Sequence, residues 1–164
     1  LKDGEFAWTG KPNVIAKSSE GQDGLIEGPS FCDANGATWC VVSSGYFGGA
    51  DYKRWIGRID DIVNGKLTDQ RQLLTTESPC LGGRWVGPGH CSLVQEAPGI
   101  FSMFFHAWAA NQDTAPAFEE RFKAGGEGRK PLRATLAFID EGGKPCEPYI
   151  VEDRIKAHLR RSWS

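Results

Sequence analysis

The chain has no basic run, no long apolar run and no metal-binding cysteine pattern. Lys and Arg total 19 against 21 Asp and Glu, giving a net charge of −2 over 164 residues. Binding to nucleic acid needs clustered cations to neutralise phosphates, so no nucleic-acid partner is expected. No stretch reaches the roughly 18 apolar residues of a membrane-spanning helix, and no membrane partner is expected. Five cysteines cannot all pair internally. Cys32 and Cys40 flank a predicted hairpin and could approach each other, whereas Cys80, His90 and Cys91 lack the CxxC pair of a typical zinc site. There is no P-loop, dinucleotide fingerprint, HExxH or nucleophile-elbow string.

Glycine and tryptophan are abundant: 21 Gly and 6 Trp, with 40% hydrophobic residues. A turn-rich, aromatic-rich β protein fits this composition. Residues 25–33 form a predicted strand that meets Asn35-Gly36, a hairpin signal, and returns through 37–44. RWIGRID (54–60) alternates with period two, and QLLT (72–75) completes a set of four strands. The order then recurs: strands are predicted at 85–95, 100–108, 132–140 and 146–151, with turns at Pro98-Gly99 and Gly142-Gly143.

The two units share a local string, Gly28-Pro29-Ser30-Phe31-Cys32 and Gly87-Pro88-Gly89-His90-Cys91, offset by 59 residues. Their third strands both end in Ile-Asp, at Asp60 and Asp140. Repeating four-stranded units with the same entry string point to a β-propeller rather than a sandwich or jelly roll. The expected architecture is all-β: about two and a half blades over residues 1–151, with full blades at about 25–75 and 85–151. Residues 1–17 read as the outer end of a preceding blade. Ile155, Leu159 and Trp163 suggest a short helical tail over 152–164, and 117–122 a helical turn. Propellers have 4–8 blades, and the chain opens at Leu1, so it is expected to be the C-terminal piece of a longer one.

Two residues stand out for chemistry. Glu27 follows two aliphatic residues at the start of an innermost strand, where partial desolvation suits a carboxyl group to proton donation. His90 occupies the equivalent region of the next unit, flanked by glycines that permit close approach of a ligand. Tyr46 and Phe47, in the Gly-rich loop 45–52, are placed at the cleft rim, where aromatic rings can pack on the C–H faces of sugars. His106 reads as a hydrogen-bonded core histidine.

IEGPSF (26–31), GGADYKRWIGR (48–58), WVGPGHCSLV (85–94) and FSMFFHAW (101–108) together resemble the later blades of glycoside hydrolase family 43. The resemblance implies a five-bladed propeller acting with inversion on xylose- and arabinose-containing glycans. It implies one Asp as general base, a second Asp that tunes the acid, and a Glu general acid in an EGP-type string, here Glu27. His90 matches a channel histidine associated with calcium or the substrate region, and Arg133 an arginine near the sugar. No cofactor is required, with calcium the one candidate.

The two aspartates lie upstream of the Glu in that family, and only 26 residues precede Glu27 here. Five units of this length need roughly 300 residues. The sequence therefore predicts a hydrolase fragment that carries the acid, lacks the base and is inactive alone. Its partners are a xylan- or arabinan-type oligosaccharide and the N-terminal blades of the parent chain. The rivals are a non-catalytic carbohydrate-binding module and a protein-interaction platform. The cysteines are compatible with a secreted parent and do not fix its compartment.

Overall fold

The computed structural model describes residues 13–17, 25–61, 65–110 and 128–154. Eight strands form two four-stranded antiparallel sheets. The first contains β1 (Ile26–Ala34), β2 (Ala37–Ser44), β3 (Lys53–Ile59) and β4 (Thr68–Leu74). The second contains β5 (Trp85–Ala97), β6 (Ile100–Ala109), β7 (Lys130–Ile139) and β8 (Pro145–Ile150). Within each sheet, strand order equals chain order, and a turn at Pro79–Leu81 lies between the two sheets.

Local chemistry sets the turns and register. Asn35 and Gly36 both have positive φ, 53° and 73°, as a two-residue turn of matching twist requires. That turn registers Ala34 with Ala37 and Cys32 with Trp39. Phe31 then faces Cys40, so Cys32 and Cys40 are one residue out of step and lie on opposite faces of the sheet. The expected approach of these two thiols does not occur, and all five cysteines are free. Burial pushes the Cys32 thiol up to about 12 and the Cys40 thiol up to about 11.

β4 begins four residues earlier than its hydrophobic pattern suggests. Thr68 to Arg71 are polar because this outermost strand is largely exposed or half-buried there, so no apolar alternation marks it.

The main core fills the space between the sheets. Trp39, Val41, Ile56 and Leu74 of the first sheet meet Cys91, Phe101, Met103, Phe105, Leu136, Phe138 and Ile150 of the second. Phe138 packs on Trp39 with centroids 5.3 Å apart and edge-on to Phe101 at 5.7 Å. A smaller cluster of Cys40, Val42, Ile59 and Leu67 covers the other face of the first sheet, with Ile15 and Ala16 against it. Ile15 also accepts a hydrogen bond from Leu67 N–H at 2.7 Å. The first sheet is thus apolar on both faces, as a sheet between two layers must be. On the second sheet, Val94 and Phe104 remain exposed.

Polar latches join the sheets away from the core. Asn35 donates its side-chain amide to Phe138 O at 2.8 Å and Cys146 O at 3.2 Å. Arg71 donates to Pro148 O at 2.8 Å and pairs with Glu147. Residues 151–154 are helical. The remainder of the predicted tail helix, the predicted turn at 117–122 and residues 1–12 lie outside the described residues.

Candidate active site

The shared Gly-Pro string marks a backbone device. Gly28 and Gly87 both adopt the left-handed conformation, with φ of 57° and 61°. Register breaks after Glu27 in β1 and after Val86 in β5, so the first strand of each sheet carries a bulge near its start. The bulges re-aim the residues around them: Glu27 sits at the first, and His90 in a further register break of β5, between Gly89 and Ser92.

Glu27, Ser43 and Arg54 form one cross-strand row. Glu27 is registered with Ser43, and Ser43 with Arg54. Opposed residues share a face, so these three side chains project together toward the second sheet. Tyr52, two residues before Arg54, joins them. The Tyr52 hydroxyl donates to Glu27 Oε1 at 2.6 Å, from a ring with no solvent exposure. Ser43 Oγ accepts from Arg54 Nη1 at 2.9 Å and from the His90 backbone N–H at 2.8 Å. Burial, followed by the hydrogen bond to Glu27, pushes the Tyr52 phenol up to about 12. Tyr52 therefore stays protonated and donates.

His90 is a non-glycine residue at φ 48°, an uncommon conformation for a side chain branched at Cγ. Its ring covers Gly28, where an added Cβ would lie 2.9 Å from Nδ1. The imidazole is thereby held beside the residue that follows Glu27. Local strain at such a place is a feature of functional sites.

His106 is not the core histidine its surroundings in sequence suggest. It is half-buried and parallel to Tyr52, with centroids 6.3 Å apart, and it stacks on His90 at 6.1 Å. Arg129 Nη1 lies 3.1 Å from its Nε2. A guanidinium only donates, so that contact requires a neutral imidazole. Burial and then the Arg129 charge pull the His106 pKa down to about 4. Arg129 itself packs over Phe47 at 5.9 Å and Trp108 at 5.8 Å. The Trp108 indole N–H donates to Phe47 O at 3.2 Å. Phe47 thus supports a cation–aromatic wall, while Tyr46 stands beside it, exposed, with centroids 5.1 Å apart.

This neutral histidine gives a pH signature. Below about 6.5 the unfolded chain binds a proton at His106 that the folded chain refuses until about 4. Stability supported by His106 is therefore full above 6.5 and falls as the pH drops toward 4, by about 1–3 kcal/mol. Melting temperature measured between pH 4 and 7 should show a shallower acid-side decline in His106→Gln than in the parent chain.

Arg133 is not brought to this site. It lies opposite Phe104 in mid-strand, and its Nε donates to Ser102 Oγ at 2.8 Å. Its Nη2 is 3.8 Å from Glu96. Tyr52, Ser43, Arg54 and Arg129 are the residues at the site that sequence reasoning missed. Alternation in β3 was the available signal, because it places Arg54 on the same face as the core residue Ile56.

Calcium takes six to eight hard oxygen ligands. Among the described residues no group of three or more His, Cys, Asp and Glu side chains converges. Among the described residues Cys80, His90 and Cys91 form no zinc site. A depression of about 790 Å³ lies at the other end of the first sheet, lined by Asp33, Asn35, Thr38, Arg58 and Asp60 among others. Its carboxylates are already engaged, Asp33 by Thr38 and Asp60 by Arg58.

Solved structures share this arrangement of strands. An α-L-arabinofuranosidase from Lactobacillus brevis superposes with a TM-score of 0.61 at 16% identity, over 83% of this chain and 42% of that one. A thermostable family-43 glycoside hydrolase gives a TM-score of 0.54 at 17% identity, over 83% of this chain and 39% of that one. The fold is that of the family-43 glycoside hydrolases. An exo-1,5-α-L-arabinanase from a bovine ruminal metagenomic library gives 0.56 at 22% identity, over 86% and 43% of the respective chains. The chain spans about two fifths of the length of these family-43-type enzymes. No protein-family model and no curated protein matches the chain.

Proposed function

We propose that the chain is the acid-bearing portion of an inverting glycosidase built as a five-bladed β-propeller, with Glu27 as general acid. Its substrates are xylan- or arabinan-type oligosaccharides, and its general base comes from blades outside these residues. The observation that carries this reading is the carboxyl group of Glu27, set on the inner-strand bulge of a family-43 fold and held there by the buried Tyr52 hydroxyl.

The chemistry follows from that placement. In an inverting glycosidase the acid protonates the departing glycosidic oxygen while a second carboxylate activates water about 6.5–9.5 Å away. In the family that the motifs resemble, the base lies upstream of the acid, so the group that activates water is assigned to the rest of the ring. His90, Phe47 and Arg129 supply stacking and hydrogen-bonding surface for a sugar, with the buried Trp108 behind Phe47 and Arg129. A non-catalytic sugar-binding module would not require the ordered proton donor at Glu27.

Aryl α-L-arabinofuranosides and β-D-xylosides offered to the full-length protein test the proposal, with the product anomer followed by proton NMR. Turnover with inverted configuration is expected, and none from residues 1–164 alone. Retained configuration, or turnover by the isolated chain, would sink this reading.

A further inference from the structure

β5 leaves its partner strand at residues 90 and 91. Gly89 is registered with His106 and Ser92 with Phe104, so His90 and Cys91 together stand opposite Phe105 alone. Two residues against one make a β-bulge, and the form whose first residue is left-handed ordinarily has glycine there. Here that residue is His90, at φ 48°. A side chain retained where the backbone favours glycine calls for a use of its ring.

The first sheet grips this bulge. The His90 N–H donates to Ser43 Oγ at 2.8 Å, and the Cys91 sulfur accepts from Arg54 Nη2. The same guanidinium donates through Nη1 to Ser43 Oγ at 2.9 Å. Ser43 and Arg54 are registered neighbours on β2 and β3, and neither is exposed. A guanidinium and a backbone N–H only donate, so Ser43 Oγ is the acceptor of both bonds. One buried pair thus holds both residues of the bulge, His90 by its N–H and Cys91 by its sulfur. Among the described residues Arg54 has no carboxylate partner, and its Nε is unpaired. An apolar side chain of similar volume would fill the same space without burying a cation, so the guanidinium has a task other than packing. The ring that this grip presents lies over Gly28, where an added Cβ would be 2.9 Å from Nδ1 and 3.1 Å from Cε1. Gly28 directly follows Glu27.

We propose that Arg54 and Ser43 are positioning residues that clamp the His90–Cys91 bulge and so hold the His90 ring over Gly28, ready to meet the sugar. The inference rests on the glycosidase reading for what His90 touches, whereas the placement of the ring stands on the hydrogen bonds alone. Arg54 and Ser43 act only through His90. Without them the His90 N–H and the Cys91 sulfur lose these partners, and the left-handed backbone of His90 is free to relax. Binding a sugar must then order the ring again, which weakens affinity. Proton transfer from Glu27 continues, because Tyr52 holds that carboxyl group by a separate bond.

The test uses the full-length protein, isotope-labelled at its histidine rings, with Ser43→Ala, Arg54→Met and His90→Gly. Glycine suits the left-handed backbone, so His90→Gly removes the ring, keeps the bulge and identifies the His90 signal by its loss. A nuclear Overhauser contact from His90 Hε1 to a Gly28 Hα is expected in the parent, given the approach of Cε1 to that position. It should weaken severalfold in Ser43→Ala and in Arg54→Met, while the other histidine signals stay in place. On oligosaccharides both variants should raise KM about 3- to 10-fold and change kcat less than about twofold. In the His90→Gly background neither should raise KM further, as expected of residues that act through that ring. A contact missing from the parent, a contact unchanged in both variants, or KM increases that persist in full without His90 would each overturn the proposal. If Arg54→Met does not fold, Ser43→Ala decides, since it removes the His90 bond directly. A contact that weakens in the variants of a protein that turns over no glycoside would support the clamp and refute the glycosidase reading.

Discussion

Glu27→Gln is expected to lower kcat of the full-length protein on oligosaccharides by about 10²–10⁴-fold, the usual worth of a positioned general acid. The substitution is nearly isosteric, and the amide oxygen still accepts the Tyr52 hydroxyl. Melting temperature should therefore stay close to that of the parent. What is lost is the transferable proton, since an amide does not give one up. Substrates whose leaving groups depart as stable anions should be hydrolysed almost as before, and plotting rate against leaving-group pKa makes the distinction. A uniform loss across all leaving groups would mean that Glu27 binds substrate without donating a proton.

Gly89→Ala is expected to destabilise the chain by about 3–5 kcal/mol, enough to threaten folding of a marginally stable domain. An added Cβ would stand 1.7 Å from Tyr52 Cε1 and 2.2 Å from Cδ1. The ring cannot swing aside, because its hydroxyl is tied to Glu27 and no part of it reaches solvent. Gly89 shows no positive φ, so the effect is one of contact rather than backbone conformation. Gly142→Ala makes a control, since its Cβ would meet only Asp140 Oδ1, at 3.3 Å. Denaturant titration of both variants gives the difference. Adding Tyr52→Ala to Gly89→Ala should recover part of the loss through coupling between the sites. A Gly89→Ala chain as stable as the control would contradict the packing described here.

Strand positions were legible because turn chemistry and alternation are local. Asn35-Gly36 specifies its own hairpin, and the Gly-Pro repeat marks two bulges whose glycines share one conformation. The site was legible only where a single residue carried a local signal, as Glu27 and His90 do. Tyr52 reaches Glu27 across 25 residues of chain, and Arg54 reaches Cys91 across 37. Those meetings depend on register and on the packing of one sheet against the other, which composition does not encode. Arg54 was the hardest to read: its chemistry belongs to the surface, and only its place beside Ile56 in β3 hints that it lies inside. His106 misled in the opposite direction, because its apolar neighbours line the core while its own ring faces His90 and Tyr52. Arg133 stands apart from these residues, since its position in β7 leads its side chain to Ser102 and Glu96.

The amide of Asn35, at the tip of the first hairpin, is bonded to carbonyls of β7 and of β8. Arg71, on the outermost strand of the first sheet, grips β8 in the same way. Neither sheet can open without exposing the shared aromatic core and releasing both latches together. The repeat seen in the sequence is therefore not a repeat in folding. The two units form one cooperative block, and hydrogen exchange in their central strands should be governed by a single opening event rather than two. Ancestral duplication of a four-stranded module is compatible with this, but half of the pair would not be a stable unit today.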